Sequence, residues 1–309
     1  MSDLTLPCSQ RRGFIMHFHG PVVRPQTDAR SLFIEVTVGC SHNSCRFCNF
    51  YHGYPFRAAP MSQIEADLKE AKRKYPRTVR IWANGGNPYC LSPQKLASVG
   101  RLIRKYFPRA KISTYARVDD VTRKSVEQIR MLKNAGFSDL VIGMECGDDD
   151  ALRFMNKGYC AADIISAGKK LEEAGVRYRM IYLGGLAGAG NGEACARRTA
   201  EVLNQLHPTL LYLNTVSVLP GTRLYNDRDA GRFTEAGERE RVQELITLVS
   251  ELKNPIRLFA AKNTTRFSFF VDLPRDRKKV LAMMKKELAG ITDREEMEMR
   301  RRRERQRSV

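Results

Sequence analysis

VTVGCSHNSCRFCNFY (Val36–Tyr51) places three cysteines, Cys40, Cys45 and Cys48, within nine residues. The spacing is C-x4-C-x2-C, and the next cysteine, Cys90, lies 42 residues on. Clustered thiolates bind soft metals, and the metal they choose decides what the rest of the chain must be. Structural zinc takes four ligands, usually as two paired knuckles. Cys45-Arg46-Phe47-Cys48 is one pair, and His42 and His52 each lack a partner at ligand spacing. A plant-type ferredoxin shares this spacing but closes its site with a fourth cysteine. A [4Fe–4S] cluster held by three cysteines leaves one iron open to the amino and carboxylate groups of a small molecule.

Outward from the cysteines, the chain alternates strands with helices. LFIEVTVG (Leu32–Gly39) is a β-branched strand running straight into Cys40. MSQIEADLKEAKRKYP follows as a helix, with Ser62 and Glu65 in capping-box spacing and Ile64, Leu68 and Ala71 forming the apolar stripe. Thr78–Pro88 reads as a strand ending in glycines, and Ser92-Pro93 as the start of the next helix. KISTYAR, DLVIGMECG, VRYRMIYLGG and LLYLNTVSVLPG are the later strands, separated by TRKSVEQIRMLKNAG and AADIISAGKKLEEAG. Gly136 and Gly175 end two similar helix–strand junctions 39 residues apart. Strand–helix alternation predicts a parallel sheet or barrel. Six units over about residues 31–225 fall short of the roughly 250 residues of a full eight-unit barrel, so the expectation is an incomplete barrel or open sheet. Residues 1–30 read as an N-terminal segment, 31–230 as the α/β core and 231–309 as a mostly helical extension with a basic tail. FSFFVDLP within that extension reads as one further strand.

With this frame, the sequence resembles the radical S-adenosylmethionine (SAM) superfamily over roughly Leu32–Tyr225. Those enzymes carry three cysteines after the first strand of a partial (β/α)6 TIM-type barrel, commonly as C-x3-C-x2-C, with an aromatic residue before the last cysteine. Phe47 holds that position here, and the wider C-x4-C-x2-C loop resembles an uncharacterised subgroup. The resemblance implies Cys40, Cys45 and Cys48 as ligands of a [4Fe–4S] cluster and SAM on its open iron. It further implies reductive cleavage of a C–S bond, normally to methionine and a 5′-deoxyadenosyl radical that abstracts hydrogen from substrate. An external one-electron donor of flavodoxin or ferredoxin type follows from the same likeness.

The other strand ends fit this expectation, because a barrel sets its chemistry at the C-terminal ends of its strands. Gly85, Gly86 and Asn87 stand where the family has a GGE-like motif whose backbone holds the SAM amino group. Asn87 replaces the usual acid, which leaves main-chain carbonyls or its amide oxygen for that contact; a plain glycine turn is the competing reading. Ser113, Tyr115 and Arg117 alternate on one face, expected to be the barrel interior. Glu145 in GMECG resembles the family's GxES stretch, and Lys157 in MNKGY is implied as a partner of the SAM carboxylate. A Glu145–Lys157 ion pair without ligand is the alternative. Pro220 in LPGT stands where relatives touch the adenine. GGLAGAGNG (Gly184–Gly192) lacks the G-x-G-x-x-G order of a dinucleotide loop and reads as a cover for SAM or substrate, or as a flexible loop. Cys8, Cys90, Cys146, Cys160 and Cys195 show no ligand spacing and read as core residues.

Composition narrows the partners. The 309 residues are 42% hydrophobic, enough for a sizeable core, and 53 Lys and Arg against 34 acids give +19. Such an excess favours anionic partners. From Glu251 onward 17 basic and 9 acidic residues account for +8, ending in MRRRRERQRSV, whose simplest reading is a solvated helix end. Eight cysteines are too few for a disulfide scaffold, and neither a signal peptide nor a membrane span is evident. The expected compartment is therefore the reducing cytoplasm. An unidentified anionic small molecule is the expected substrate. RNA modification, 3-amino-3-carboxypropyl transfer from SAM, and a basic nucleic-acid-binding protein with a structural cluster remain as rivals.

Overall fold

A computed structural model describes residues 16–262 and 265–306; Cys8 and the last three residues lie outside them. The chain divides into two compact units. The first holds the described residues through Asn43, Phe50–Ile142 and Lys170–Arg177; the second holds Ser44–Asn49, Gly143–Lys169 and the chain from Tyr178 on.

In the first unit, β1 (Leu32–Glu35), β2 (Thr37–Val38) and β3 (Arg57–Ala58) precede α1 (Met61–Lys74), β4 (Arg80–Asn84), α2 (Pro93–Tyr106) and β5 (Lys111–Ala116). Then come α3 (Val118–Thr122), α4 (Val126–Asn134) and most of β6 (Phe137–Glu145). β1 pairs parallel with β4, β4 with β5 and β5 with β6. Parallel strands covered by helices bury both faces: Ile34, Ile81 and Ile112 are wholly buried with Leu68 and Leu96 of α1 and α2.

The long strand expected from Leu32 to Gly39 is broken. Val36 still donates to Asn84 O (2.9 Å) but accepts from Ala59 N (2.9 Å), and Thr37–Val38 then pairs antiparallel with β3. Ser62 caps nothing: α1 begins at Met61 after Pro60, and Glu65 accepts instead from Tyr106 Oη and Lys105 Nζ. Ser92 and Pro93 start α2 as expected, with Ser92 Oγ accepting from Lys95 N. Gly136 and Gly175 end their helices with φ of +114° and +66°, a region that costs a β-carbon dearly. The helix expected from Thr122 starts later, as α4 capped by a Ser125–Gln128 box, and a short helix the sequence did not suggest, α3, ends at Thr122.

In the second unit, the end of β6 is followed by α5 (Asp149–Phe154), α6 (Ala161–Glu173), β7 (Arg177–Gly184), α7 (Gly192–Leu203), β8 (Leu211–Thr215) and α8 (Arg223–Asp229). α9 (Glu238–Glu251), β9 (Ile256–Ala260), β10 (Phe269–Leu273), α10 (Arg277–Gly290) and α11 (Asp293–Glu304) complete it. β7 pairs parallel with β8 and β8 with β9, while β10 runs antiparallel to β9. FSFFVDLP is thus a strand as expected. The extension after residue 230 also supplies β9, which the sequence reading missed, and β9 continues the parallel run past the sixth unit. No helix among the described residues is long and apolar enough to cross a membrane.

Candidate functional site

In the first unit the end of β4 lies against the cysteine loop. Gly86 N donates to Gly39 O (3.0 Å). A β-carbon on Gly86 would fall 2.6 Å from Gly39 O and 2.7 Å from Cys40 Cβ. One on Gly85, where φ is +148°, would fall 1.9 Å from Thr37 Oγ1. Both glycines are therefore required by the approach of strand and loop, whatever they contact besides.

Asn87 holds the residue after Cys40. Its Oδ1 accepts from Ser41 N (2.9 Å), and its Nδ2 donates to Ser41 Oγ (2.8 Å) and Asp120 Oδ2 (2.9 Å). The amide expected to face a ligand is engaged on both ends within the protein. Arg117 N also donates to Asp120 (2.8 Å), and Lys124 Nζ donates to the carbonyls of Tyr89 and Asp120. Burial raises the Asp120 carboxyl to about 6 and lowers the Lys124 ammonium. Cys90, separated from the cluster in sequence, sits beside Ser41, which hydrogen-bonds it, and near Cys40; burial, then the Asp120 charge, push its thiol up to about 12. The expectation that no fourth thiol stands near the cluster loop is corrected for Cys90, which the turn Pro88–Cys90 carries back to it. Asn43, with φ of +39°, turns the four-residue interval and donates to Tyr51 O (3.1 Å); asparagine tolerates that backbone better than most residues.

Ser113 and Tyr115 do share a face, and Arg117 follows them at the end of β5. The Ser113 hydroxyl donates to Asp139 (3.1 Å) and accepts from Arg80 (3.0 Å), so it is bound into an ion pair at the other end of the strands. Tyr115 packs 5.0 Å from Trp82, which stacks on Phe33. The Arg117 guanidinium binds Asp119 (2.8 Å).

In the second unit the segment Ser44–Asn49 carries Cys45 and Cys48, and Cys48 N donates to Cys45 O (3.2 Å). Arg46 anchors it: its N donates to Met155 O (3.1 Å), its O accepts from Leu224 N (2.8 Å), and its guanidinium pairs with Asp227 (2.6 Å). The Arg46 side chain is thus a brace. Burial would raise the Asp227 carboxyl, but the Arg232 and Arg46 guanidiniums more than reverse this and hold it below the usual range. Asn156 Nδ2 donates to Ser44 O and Oγ (3.0 and 3.1 Å). Lys157 and Glu145 form the ion pair weighed from sequence, at 2.8 Å and nearly fully buried. Lys157 Nζ also lies 5.6 Å from the Phe47 ring centroid and 5.3 Å from that of Tyr159. Gly143 leaves room for that carboxylate, since a β-carbon there would meet Glu145 Oε1 at 2.5 Å.

Pro220 opens a turn in which Gly221 takes φ of +80° and Thr222 N returns to Leu219 O (3.2 Å). Gly184–Gly192 is pinned by α9. The Glu244 carboxylate accepts from Gly185 N (2.7 Å) and Tyr182 Oη, and the fully buried Arg241 donates to Gly184 O, Val216 O and Ala236 O.

The donor set fits an iron–sulfur cluster and a small cationic ligand. Cys40, Cys45 and Cys48 are half-buried and in no disulfide, and thiolates are the ligands such clusters take. In the first unit, Thr37 Oγ1 and Asn84 Oδ1 are buried at the end of β4 without a hydrogen-bond partner. Buried acceptors left so are rare and are what an amino group completes. Asn84, and Asn214 Oδ1 at the end of β8 in the same condition, were not singled out from sequence; an asparagine in the last turn of an apolar strand was the available signal.

The Radical SAM superfamily model matches residues 34–193. The heme chaperone HemW of Bacillus subtilis (strain 168) is 25% identical over 153 residues, covering 47% of this chain and 40% of HemW. The chain thus spans less than half the length of that relative. Among solved structures, the radical SAM methyltransferase TsrM from Kitasatospora setae, with cobalamin and a [4Fe–4S] cluster bound, superposes with a TM-score of 0.52 and 15% identity over 63% of this chain and 38% of its own. Coproporphyrinogen III oxidase HemN from Escherichia coli gives 0.51 and 18% over 72% and 52%. At these identities the structural likeness carries the fold alone.

Proposed function

The chain belongs to the radical SAM superfamily, an α/β enzyme family of partial TIM-type barrels that uses a [4Fe–4S] cluster and SAM, and from that premise we propose that Cys40, Cys45 and Cys48 hold the cluster here. The observation that carries this reading is the bracing of the cysteine loop. Gly86 and Asn87 fix it beside Cys40, and Arg46, Asn156 and Asp227 fix it around Cys45 and Cys48. Ligands held by such supporting bonds keep their geometry when the metal changes state.

Cys40, Cys45 and Cys48 would hold the cluster, which would supply the electron for cleavage of a C–S bond of SAM. The protein's own part is to bind and orient. Thr37 and Asn84 offer unpartnered acceptors to the SAM amino group beside the Gly85–Gly86 backbone. Lys157 remains the residue proposed for the SAM carboxylate, in exchange for its bond to Glu145. Phe47, Tyr115 and Pro220 supply apolar surface for the rest of the cofactor. Ser113 drops out of that set, because its hydroxyl serves Arg80 and Asp139. The electron comes from an external flavodoxin- or ferredoxin-type donor, in a reducing cytoplasm. The substrate is an anionic molecule admitted beside SAM.

Anaerobic reconstitution with iron and sulfide, followed by SAM and dithionite, tests the reading. Expected are iron uptake and 5′-deoxyadenosine with methionine. Methylthioadenosine in their place would assign transfer of the aminocarboxypropyl group. Absence of any SAM cleavage product overturns the enzyme reading, and undiminished cleavage by Cys45→Ala overturns the ligand assignment.

A further inference from the structure

The positive charge of this chain is concentrated. Between Lys69 and Lys111 there are 12 Lys and Arg and one acid, Glu70, a net +11 that equals the whole excess upstream of Glu251. In the first unit this stretch forms the second half of α1, all of α2 and the turns leading into β4 and β5. The two turns run side by side, since Arg80 is the register partner of Lys111 and Lys111 N donates to Val79 O (2.9 Å). Glu65 ties α2 to α1 through Lys105 and Tyr106. Arg73, Arg77, Arg101, Arg104, Arg109 and Lys111 are exposed, with Tyr75 among them at 53% exposure.

Helix dipoles account for cations in the last turns of α1 and α2. They do not account for Arg77, Arg109 and Lys111, which lie on the turns and meet no carboxylate among the described residues. An ordinary solvated surface intersperses both signs. Of the cations nearer the cysteine loop in this unit, Arg117 is engaged by Asp119 and Lys124 by two carbonyls, while Arg57 on β3 is exposed. The excess carried by Arg77, Arg109 and Lys111 thus lies at the far end of β4 from the cysteine loop. β4 has the basic turn at one end and Gly85–Asn87 at the other, so its five residues set the two about 17 Å apart. A small anion on the basic face would be out of reach of the cysteine loop, and so would an electron donor docked there. Charges spread over two helices and two turns, none recessed, suit a chain of phosphates better than one phosphate.

We propose that this face of α1, α2 and the two turns binds a single-stranded polynucleotide, with phosphates on the exposed cations and a base stacked on Tyr75. The inference rests on charge placement alone and is independent of the cluster. The test is fluorescence anisotropy of a labelled oligouridylate with the full chain, iron-loaded and iron-free, over a salt series, with an oligothymidylate in parallel. Both forms of the protein bind. Each phosphate contact contributes about −0.7 to the slope of log affinity against log salt. The triple variant Arg77→Glu/Arg109→Glu/Lys111→Glu makes that slope shallower by about 2 and weakens binding at least about tenfold, while its circular dichroism melt matches the wild type. Arg300→Glu/Arg301→Glu/Arg302→Glu, in α11, changes binding little. No binding at low salt overturns the proposal, as does a triple variant with unchanged slope or loss confined to the α11 variant. Loss of an acidic flavodoxin-type partner from the triple variant, with oligonucleotide binding intact, assigns the face to a protein and overturns it too.

Discussion

Asn87→Asp exchanges one nitrogen for oxygen and sets the clamp on Ser41 against itself. Asn87 Nδ2 stands 2.9 Å from Asp120 Oδ2, and each residue is 1% exposed. Two carboxylates at that distance repel by about 6 kcal/mol at an effective dielectric of about 20, so one keeps a proton. Burial has already raised Asp120 to about 6. Holding a proton there costs about 1.4 kcal/mol for each pH unit above that value. The variant is then destabilised by about 3 kcal/mol at pH 8 and by little at pH 6. The sign follows from a raised folded-state pKa: the stabilising proton is present at low pH and lost as pH rises. Wild-type Asp120 contributes no such slope above its own value. Urea unfolding of both proteins at pH 6, 7 and 8 measures the gap, and iron content after reconstitution at pH 8 reports whether the loop still holds the cluster. A gap equal at pH 6 and pH 8, or no gap, refutes the contact.

Three further substitutions probe other parts of the fold. Gly86→Ala forces a β-carbon into contact at 2.6 Å with Gly39 O; a loss of about 2 kcal/mol and reduced iron uptake are expected, and wild-type values for both would show that the strand and loop can part freely. Lys157→Met strands the buried Glu145 carboxylate without its cation, costing about 3–5 kcal/mol, to be read from thermal unfolding against Lys157→Met/Glu145→Gln, which restores most of the loss. Burial raises Glu244 from 4.5 to about 7, against the bonds from Tyr182 and Gly185; wild type therefore loses stability relative to Glu244→Gln as pH climbs through that window, and parallel urea midpoints from pH 5 to 8 would sink the assignment.

The cysteine spacing, the strand–helix alternation, the Ser92–Pro93 helix start and the two glycine stops were legible because each depends on residues a few positions apart. Features fixed by distant residues were not. Cys90 comes beside Ser41 only because the turn after β4 folds back on the loop. Nothing local to Asp120 says that its carboxylate meets Asn87. β9 alternates buried Ile256, Leu258 and Ala260 with exposed Arg257, but five residues after a proline in a charged region gave that pattern little weight. Ser62 failed as a cap because Pro60 already starts the helix and Glu65 has stronger partners on α2. The net charge favours an anionic partner but does not say where the charge sits. The concentration of that charge on α1, α2 and their turns needed both the count along the chain and the pairing of β4 with β5.

The pairing of β9 with β8 has a consequence for the order in which this protein is made. Until residue 260 has left the ribosome, β8 is an open edge, its Leu211–Leu213 backbone awaiting Leu258–Ala260. For the earlier part of that interval Gly184 O, Val216 O and the amide of Gly185 also lack Arg241 and Glu244. A nascent chain of the first 230 residues thus carries an unguarded strand of the kind that recruits other chains.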